Sequence, residues 1–144
     1  MISIEDPDKN YIHSTPLSSQ NWGYERGNVH YWMIWWGGAD LETYETHLGR
    51  FNSEYGVQSM MPYESIKHFV NADELEENNR IIGYHNKHQS GMYLIRRYLT
   101  NTFKEPTSFE DFCYLSMCMQ AYGISIRIES TRRMIPYSMG SLYW

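Results

Sequence analysis

The stretch Arg50-Phe51-Asn52-Ser53-Glu54-Tyr55-Gly56-Val57-Gln58-Ser59 carries the strongest structural signal in the chain. It is a short strand-like run that ends in a glutamate and a tyrosine, and Gly56 then breaks the strand. A carboxylate at the C-terminal end of a strand, with a flexible turn behind it, is well placed to act as a nucleophile. Glu54 is therefore a candidate for a catalytic residue, and the alternative from these residues alone is a surface carboxylate at the end of a strand.

The aromatic content gives a second indication of function. The 144 residues are enough for one domain with its own core, and 16% of them are aromatic, with 5 Trp and 13 Tyr against 5 Phe. Trp and Tyr combine a flat apolar face with a polar group. A sugar needs such a surface, because its C–H face stacks on rings while its hydroxyls require donors and acceptors. The alternative is an aromatic-rich core.

Charge and hydropathy argue against several classes of partner. The formal net charge is −5, whereas a nucleic-acid-binding protein normally presents a basic face. No stretch approaches the ~20 apolar residues that span a bilayer, so we expect no membrane segment. His85 and His88 lack a third ligand, and the acidic residues 73–77 lack the alternation of a calcium loop. We expect neither a metal nor a cofactor.

Strand-like and helical segments alternate along the chain. Helices are predicted to begin at Asp40, Pro62, Gly91 and Ser108, and residues 17–28 are predicted to form a loop. The order predicts a parallel α/β fold. Four such units are half of an eightfold barrel, which takes about 250 residues when complete. The predicted strands are residues 11–14, 29–36, 51–55 and 137–144.

The clearest helix signal begins at Ser108. Serine is a favourable N-cap, and Asp111 stands three residues later, as in a variant of the capping box. Pro136 ends the helical pattern. Apolar residues recur between these points at a spacing of three and four, which predicts one long helix with a buried face. They are Phe112, Leu115, Met119, Tyr122 and Ile126.

Taken in order, four segments of the chain resemble the second half of the catalytic barrel of family 2 glycoside hydrolases, and most closely their β-mannosidases. The resemblance implies strands five to eight of a (β/α)8 TIM barrel, so that residues 1–144 are a partial glycoside hydrolase catalytic domain. The segments are Asp6-Pro7 with Tyr11 and Ser14-Thr15-Pro16, residues 27–32 with Trp35-Trp36-Gly37, residues 51–59, and residues 136–144.

The resemblance also implies roles for individual side chains. Glu54 stands at the position of the nucleophile, and Trp144 stands where the family has a tryptophan that forms the floor of the sugar subsite. The further candidates are Trp32 and Trp36 as walls of the same pocket, and His30 and Tyr55 as weaker candidates for positioning. The implied partner is a β-mannoside or related glycan.

Two departures from the family stand out. The family's acid/base glutamate lies at the end of strand four in a Trp-x-Gly-Asn-x-Glu type motif, which this chain lacks. A retaining glycosidase needs both carboxyls, so we expect the isolated chain to be inactive. Arg127 replaces a small residue and Thr131 replaces a histidine on the last long helix. We expect Arg127 either to disturb the docking of this helix or to be exposed.

Three functions remain open. The first is hydrolysis of terminal β-mannosidic bonds by a retaining double displacement, with this chain supplying the nucleophile half of the site. The second is a non-catalytic truncated fragment that binds sugars weakly or associates with itself. The third is a β-galactosidase or β-glucuronidase, because those relatives share the strand-seven glutamate. Open strand edges lead us to expect a missing N-terminal half of the barrel, or self-association, as a partner.

Overall fold

The computed structural model describes residues 2–16 and 27–144, so the loop predicted at residues 17–28 lies almost entirely outside the described residues. Short 3₁₀ helices at Leu41–Glu45 and Ala72–Glu74 add to the regular elements. None of the helices in the described ranges is long and apolar enough to cross a membrane. The regular elements are α1 (Ile2–Glu5), β1 (Asn28–Tyr31), β2 (Phe51–Tyr55), α2 (Tyr63–Ile66), α3 (Arg80–His85), α4 (Gly91–Thr102) and α5 (Phe109–Arg133).

The two strands β1 and β2 form a parallel sheet, and their register changes part-way along. Val29 pairs with Asn52, but the next pair is His30 with Glu54. Ser53 is therefore an extra residue without a pairing partner, which is a β-bulge. The strand predicted at residues 51–55 is confirmed with the same bounds.

The last residues of the chain lie along the other edge of β2. Asn52 forms a parallel bridge with Ser141 and donates its backbone N–H to the carbonyl of Gly140 at 3.0 Å. The backbone N–H groups of Leu142 and Trp144 donate to the carbonyls of Asn52 and Tyr55, each at 2.8 Å. The predicted fourth strand is thus an extended segment parallel to β2, with regular bridging at one position only.

The other two predicted strands differ from the structure. Among the described residues, the only sheet is the pair β1 and β2, and residues 11–14 are not part of it. The predicted strand at residues 29–36 ends at Tyr31, because the backbone N–H of Trp36 turns back to bond the carbonyl of Trp32 at 2.9 Å. The aromatic run has a strand-like composition, but a turn closed by Gly38, at φ +69°, follows.

The core lies between the helix-facing side of the sheet and helices α4 and α5. Helix α5 begins as predicted, because the Ser108 hydroxyl accepts the backbone N–H of Asp111 at 3.0 Å. It ends at Arg133, three residues before Pro136. Of the predicted apolar face, Phe112, Met119 and Ile126 are buried, Leu115 is half-buried and Tyr122 is exposed.

The core contains a buried charged residue, Arg127. The expectation that it is exposed or disturbs docking is wrong, because its side chain is 0% exposed within a well-packed interface. Its guanidinium donates to the backbone carbonyls of Tyr44 at 3.1 Å and His47 at 2.7 Å. The guanidinium carbon also lies between 5.4 and 5.7 Å from three ring centroids. Ring faces and carbonyls replace water around the charge. The rings belong to Tyr31, Tyr44 and Tyr55.

Replacing Arg127 with methionine should destabilise the chain by about 2–4 kcal/mol, because one buried and one partly buried carbonyl lose a donor and three rings lose a cation. Urea unfolding followed by far-UV circular dichroism measures the change. Arg132→Met is the matched control on the same helix, since Arg132 is exposed, and it should shift stability by less than about 0.5 kcal/mol. Equal effects of the two substitutions would contradict a structural role for Arg127.

Candidate functional site

The bulge at Ser53 decides which way Glu54 points. Residues that pair across two strands share a face of the sheet, and successive pairs alternate between the faces. The pair of His30 and Glu54 therefore lies on the face opposite to the helices. Without the extra residue, Glu54 would lie on the same face of the sheet as Asn52, which is buried. The helix-facing pairs are Val29 with Asn52 and Tyr31 with Tyr55, all of them buried.

Two nitrogen atoms hold one oxygen of the Glu54 carboxylate. The indole N–H of Trp32 donates to Oε2 at 3.2 Å, and Nδ1 of His30 lies 3.2 Å from the same oxygen. The side chain of Glu54 is 23% exposed and that of His30 is 17% exposed, so the carboxylate is partly shielded but accessible. Among the described residues, no hydrogen-bond partner contacts Oε1. That oxygen is free to approach a ligand.

Trp144 lies beside Trp32, the residue whose indole N–H bonds the Glu54 carboxylate. Its ring centroid is 6.2 Å from that of Trp32, and the two planes cross at 67°. The backbone of Trp144 is fixed to the end of β2 by its hydrogen bond to Tyr55, whereas its side chain is 78% exposed. Two indoles at a steep angle, next to a carboxylate, form a corner in which the face of one ring remains available for stacking.

Thr15 also reaches the site, although its segment is not the strand that was predicted. Its hydroxyl lies 3.0 Å from Nε2 of His30 and 2.9 Å from the hydroxyl of Ser53. Sequence reasoning did not assign a role to Thr15. The signal was present in the Ser14-Thr15-Pro16 run, but its contacts depend on how the chain returns to the sheet.

Two of the predicted site residues lie apart from this corner. Trp36 is 69% exposed, and its ring packs on His88 with centroids 4.1 Å apart. No ring contact joins Trp36 to Trp32 or Trp144 within the described part of the chain.

Tyr55 is fully buried, so a ligand cannot touch its side chain. Its ring packs edge-on against Tyr44 at 5.5 Å, and its hydroxyl lies 3.4 Å from that of Ser141. Burial raises the pKa of Tyr55, although the Ser141 hydroxyl and Arg127 partly offset this effect. Tyr55 thus links β2 to the C-terminal segment and stays protonated at neutral pH.

Metal ligands are not grouped in the described structure. Across residues 2–16 and 27–144, no three side chains of His, Cys, Asp or Glu come together as a metal ion would require. The chemistry that this site can perform with its own groups is therefore that of a carboxylate, an imidazole and two indoles.

Comparison with known proteins places this geometry in context. β-Mannosidase B of Emericella nidulans is 29% identical over 109 residues, and β-mannosidase B of Aspergillus niger is 28% identical over 109 residues. A crystal structure of β-D-mannosidase from Dictyoglomus thermophilum matches with a TM-score of 0.78 and 33% identity, over 82% of this chain. This chain is a homologue of the β-mannosidases. No protein-family model matches it.

The homology covers only a small part of the relatives. The alignments use 74% of this chain but 13% of each of the two fungal proteins, and 15% of the Dictyoglomus chain. The resemblance of the sequence to glycoside hydrolases of the β-mannosidase type is therefore confirmed. The matched part is 13–15% of the length of these relatives.

Gly56 should be sensitive to substitution, because a Cβ atom at this position would overlap the carbonyl oxygen of Trp144. We expect Gly56→Ala to displace the C-terminal segment, at a cost of about 1–3 kcal/mol, and to change the near-UV circular dichroism of the two indoles. Gly83→Ala is the control, since no atom lies within 4 Å of its added Cβ. It should keep the spectrum and gain up to about 1 kcal/mol in helix propensity. An unchanged spectrum in Gly56→Ala would contradict the close approach.

Proposed function

We propose that this chain supplies the nucleophile half of the active site of a retaining β-mannosidase, with Glu54 as the nucleophile. The arrangement around its carboxylate carries the proposal. Oε2 is held by Trp32 and His30, no described residue bonds Oε1, and the indole of Trp144 packs against that of Trp32. A carboxylate fixed by donors on one oxygen presents the other oxygen in a defined direction.

The reaction is a double displacement. Oε1 of Glu54 forms a bond to the anomeric carbon while the bond to the leaving oxygen breaks, and the leaving oxygen takes that electron pair and a proton from an acid. Water then attacks the anomeric carbon of the glycosyl–enzyme ester, gives a proton to the conjugate base of that acid, and releases the carboxylate of Glu54. The sugar that is attacked stacks on Trp144 or Trp32, whereas Trp36 lies too far along the turn to contact the same ring. Tyr55 positions the strand from below.

The acid must come from a second carboxyl, which retaining enzymes hold about 5–5.5 Å from the nucleophile. No carboxylate other than Glu54 contacts Trp32, His30 or Thr15 in the described structure. We therefore assign strands five to eight of a TIM barrel to this chain, and the acid to a part of the barrel that the described residues do not form. The parallel order of β1, β2 and residues 139–144 supports this architecture, since successive barrel strands are parallel neighbours.

Mannose is favoured over galactose and glucuronic acid as the sugar. The relatives in both comparisons are named β-mannosidases. The described contacts of Glu54 also include only one group that can carry positive charge, the imidazole of His30, so that they offer no arginine or lysine to the carboxyl group of a glucuronide.

Covalent trapping tests the nucleophile directly. A β-mannosyl fluoride that carries fluorine in place of its C2 hydroxyl has a leaving group that needs no acid, and its glycosyl ester hydrolyses slowly. We expect intact-protein mass spectrometry to show one fluorohexosyl group on the wild-type chain, and peptide mapping to place it on Glu54. Labelling at any other residue, or none, would contradict the assignment.

Matched reagents and variants sharpen this test. Glu54→Gln should abolish labelling, because an amide is a poor nucleophile, while Glu64→Gln, an exposed glutamate on α2, should not change it. The corresponding galactosyl and glucuronyl fluorides should label more slowly than the mannosyl reagent. Faster labelling by either would support the alternative enzyme.

A second candidate function is self-association without catalysis, and the C-terminal segment favours it. Leu142, Tyr143 and Trp144 are 57%, 68% and 78% exposed. Alternate backbone N–H groups of this segment bond β2, and within the described structure those of Ser141 and Tyr143 have no backbone acceptor. An edge of this kind can pair with another strand.

We expect the chain to associate with itself in a concentration-dependent manner, which analytical ultracentrifugation can measure. Leu142→Lys should weaken the association, because a charge on an edge strand opposes pairing. Tyr114→Lys is the control: Tyr114 is 63% exposed but lies on helix α5. A monomer at all concentrations would exclude this function, and an equal response to both substitutions would exclude the edge as its cause.

A further inference from the structure

A continuous chain of polar contacts runs from the bulge to the carboxylate. The hydroxyl of Ser53 lies 2.9 Å from that of Thr15, and the Thr15 hydroxyl lies 3.0 Å from Nε2 of His30. Nδ1 of the same imidazole lies 3.2 Å from Oε2 of Glu54. Each distance is within the range of a hydrogen bond.

Counting protons along these contacts leaves one consistent arrangement for a neutral ring. An ionised carboxylate only accepts, so Nδ1 of His30 must carry the proton that faces Glu54. Nε2 is then an acceptor, and the single proton of the Thr15 hydroxyl must point at it. The Thr15 oxygen is then free to accept the proton of Ser53 at 2.9 Å, which is shorter than the 3.5 Å from the Ser53 hydroxyl to its other acceptor, the carbonyl of Val29. The opposite tautomer would place the Nδ1 lone pair against the carboxylate, with no proton between the two atoms.

We propose that Ser53, Thr15 and His30 form a proton-ordered relay that ends on Oε2 of Glu54, and that Thr15 is the positioning residue that fixes the imidazole. The catalytic importance of the relay rests on the proposed function, but its existence does not. By occupying Oε2, the relay assigns the attack on the sugar to Oε1. Hydrogen bonds in such a series also polarise one another, which strengthens the last bond in the chain.

The relay connects the backbone irregularity to the chemistry. Ser53 is the extra residue of the bulge, so the same feature that turns Glu54 to the open face also places a hydroxyl beside Thr15. The relay requires, at position 15, a side chain with one hydrogen-bond donor and two acceptor lone pairs. Serine meets this requirement, whereas valine keeps the shape of threonine and removes both functions.

Histidine tautomers can be read directly by long-range ¹H–¹⁵N NMR of the intact, ¹⁵N-histidine-labelled chain, at a pH where the ring spectra show neutral imidazole. The signal of His30, one of 6 histidines, is assigned with His30→Gln. Free histidine in water favours the proton on Nε2, so a majority of the Nδ1–H form at His30 is the expected and diagnostic result. A majority of the Nε2–H form, or a doubly protonated ring, would overturn the relay.

The variants separate the relay from simple packing. Thr15→Val should lower the ratio of Nδ1–H to Nε2–H at His30 by about fivefold, or about 1 kcal/mol, the usual net worth of one hydrogen bond. Thr15→Ser should restore it, and Glu54→Gln should remove the preference, because an amide also donates. Amide spectra check that each variant is folded. An unchanged ratio in Thr15→Val would exclude Thr15 as the positioning residue.

The same samples distinguish this inference from the proposed function. The relay predicts that Thr15→Val reacts more slowly than Thr15→Ser with the fluorinated mannosyl fluoride. If neither the wild type nor Thr15→Ser is labelled while the Nδ1–H tautomer persists, the proposed function fails and the relay stands. If labelling proceeds with the proton on Nε2, the relay fails and the nucleophile stands.

Discussion

The bulge at Ser53 is the constraint on which the candidate site depends. If the side chains of β2 alternated strictly between the two faces, Glu54 would be buried beneath the helices, where an unpaired charge destabilises the fold. One additional residue lets both Asn52 and Tyr55 face the core, while Glu54 faces away from it. The strand therefore contributes side chains both to the core and to the candidate site. The position of the unpaired residue, Ser53, decides which side chains face the core and which face the site.

The helix-facing side of the sheet supports this arrangement. Arg127 lies beneath the Tyr55 ring and ties it to neighbouring rings and carbonyls, so a charged side chain acts as part of the core. Because the hydroxyl of Tyr55 also approaches Ser141, the end of β2, the last long helix and the C-terminal segment are held as one unit. The carboxylate thus stands on rigid elements, as precise chemistry requires.

Local signals in the sequence predicted local structure well. The bounds of β2 and the capping of α5 by Ser108 follow from short-range patterns, and both are confirmed. Contacts between residues that are distant in the sequence could not be predicted from such short-range patterns. The strand predicted at residues 11–14 is absent from the described sheet, since a ladder needs a neighbouring strand that the sequence does not display. The positive charge of Arg127 led to the prediction that this residue is exposed or disturbs the docking of its helix. Only the fold shows that rings and carbonyls surround the charge. The placement of Glu54 beside Trp32 depends on the bulge, which leaves no local signature.

Trp144 combines an immobile main chain with a free side chain. Its amide is bonded to β2 and its backbone presses against Gly56, yet most of the indole surface meets solvent. Rotation about its χ angles therefore moves the indole relative to that of Trp32 without breaking a backbone hydrogen bond to β2. The space between the two indoles can thus change through one rotamer change, while the main chain on which both rings stand keeps its place.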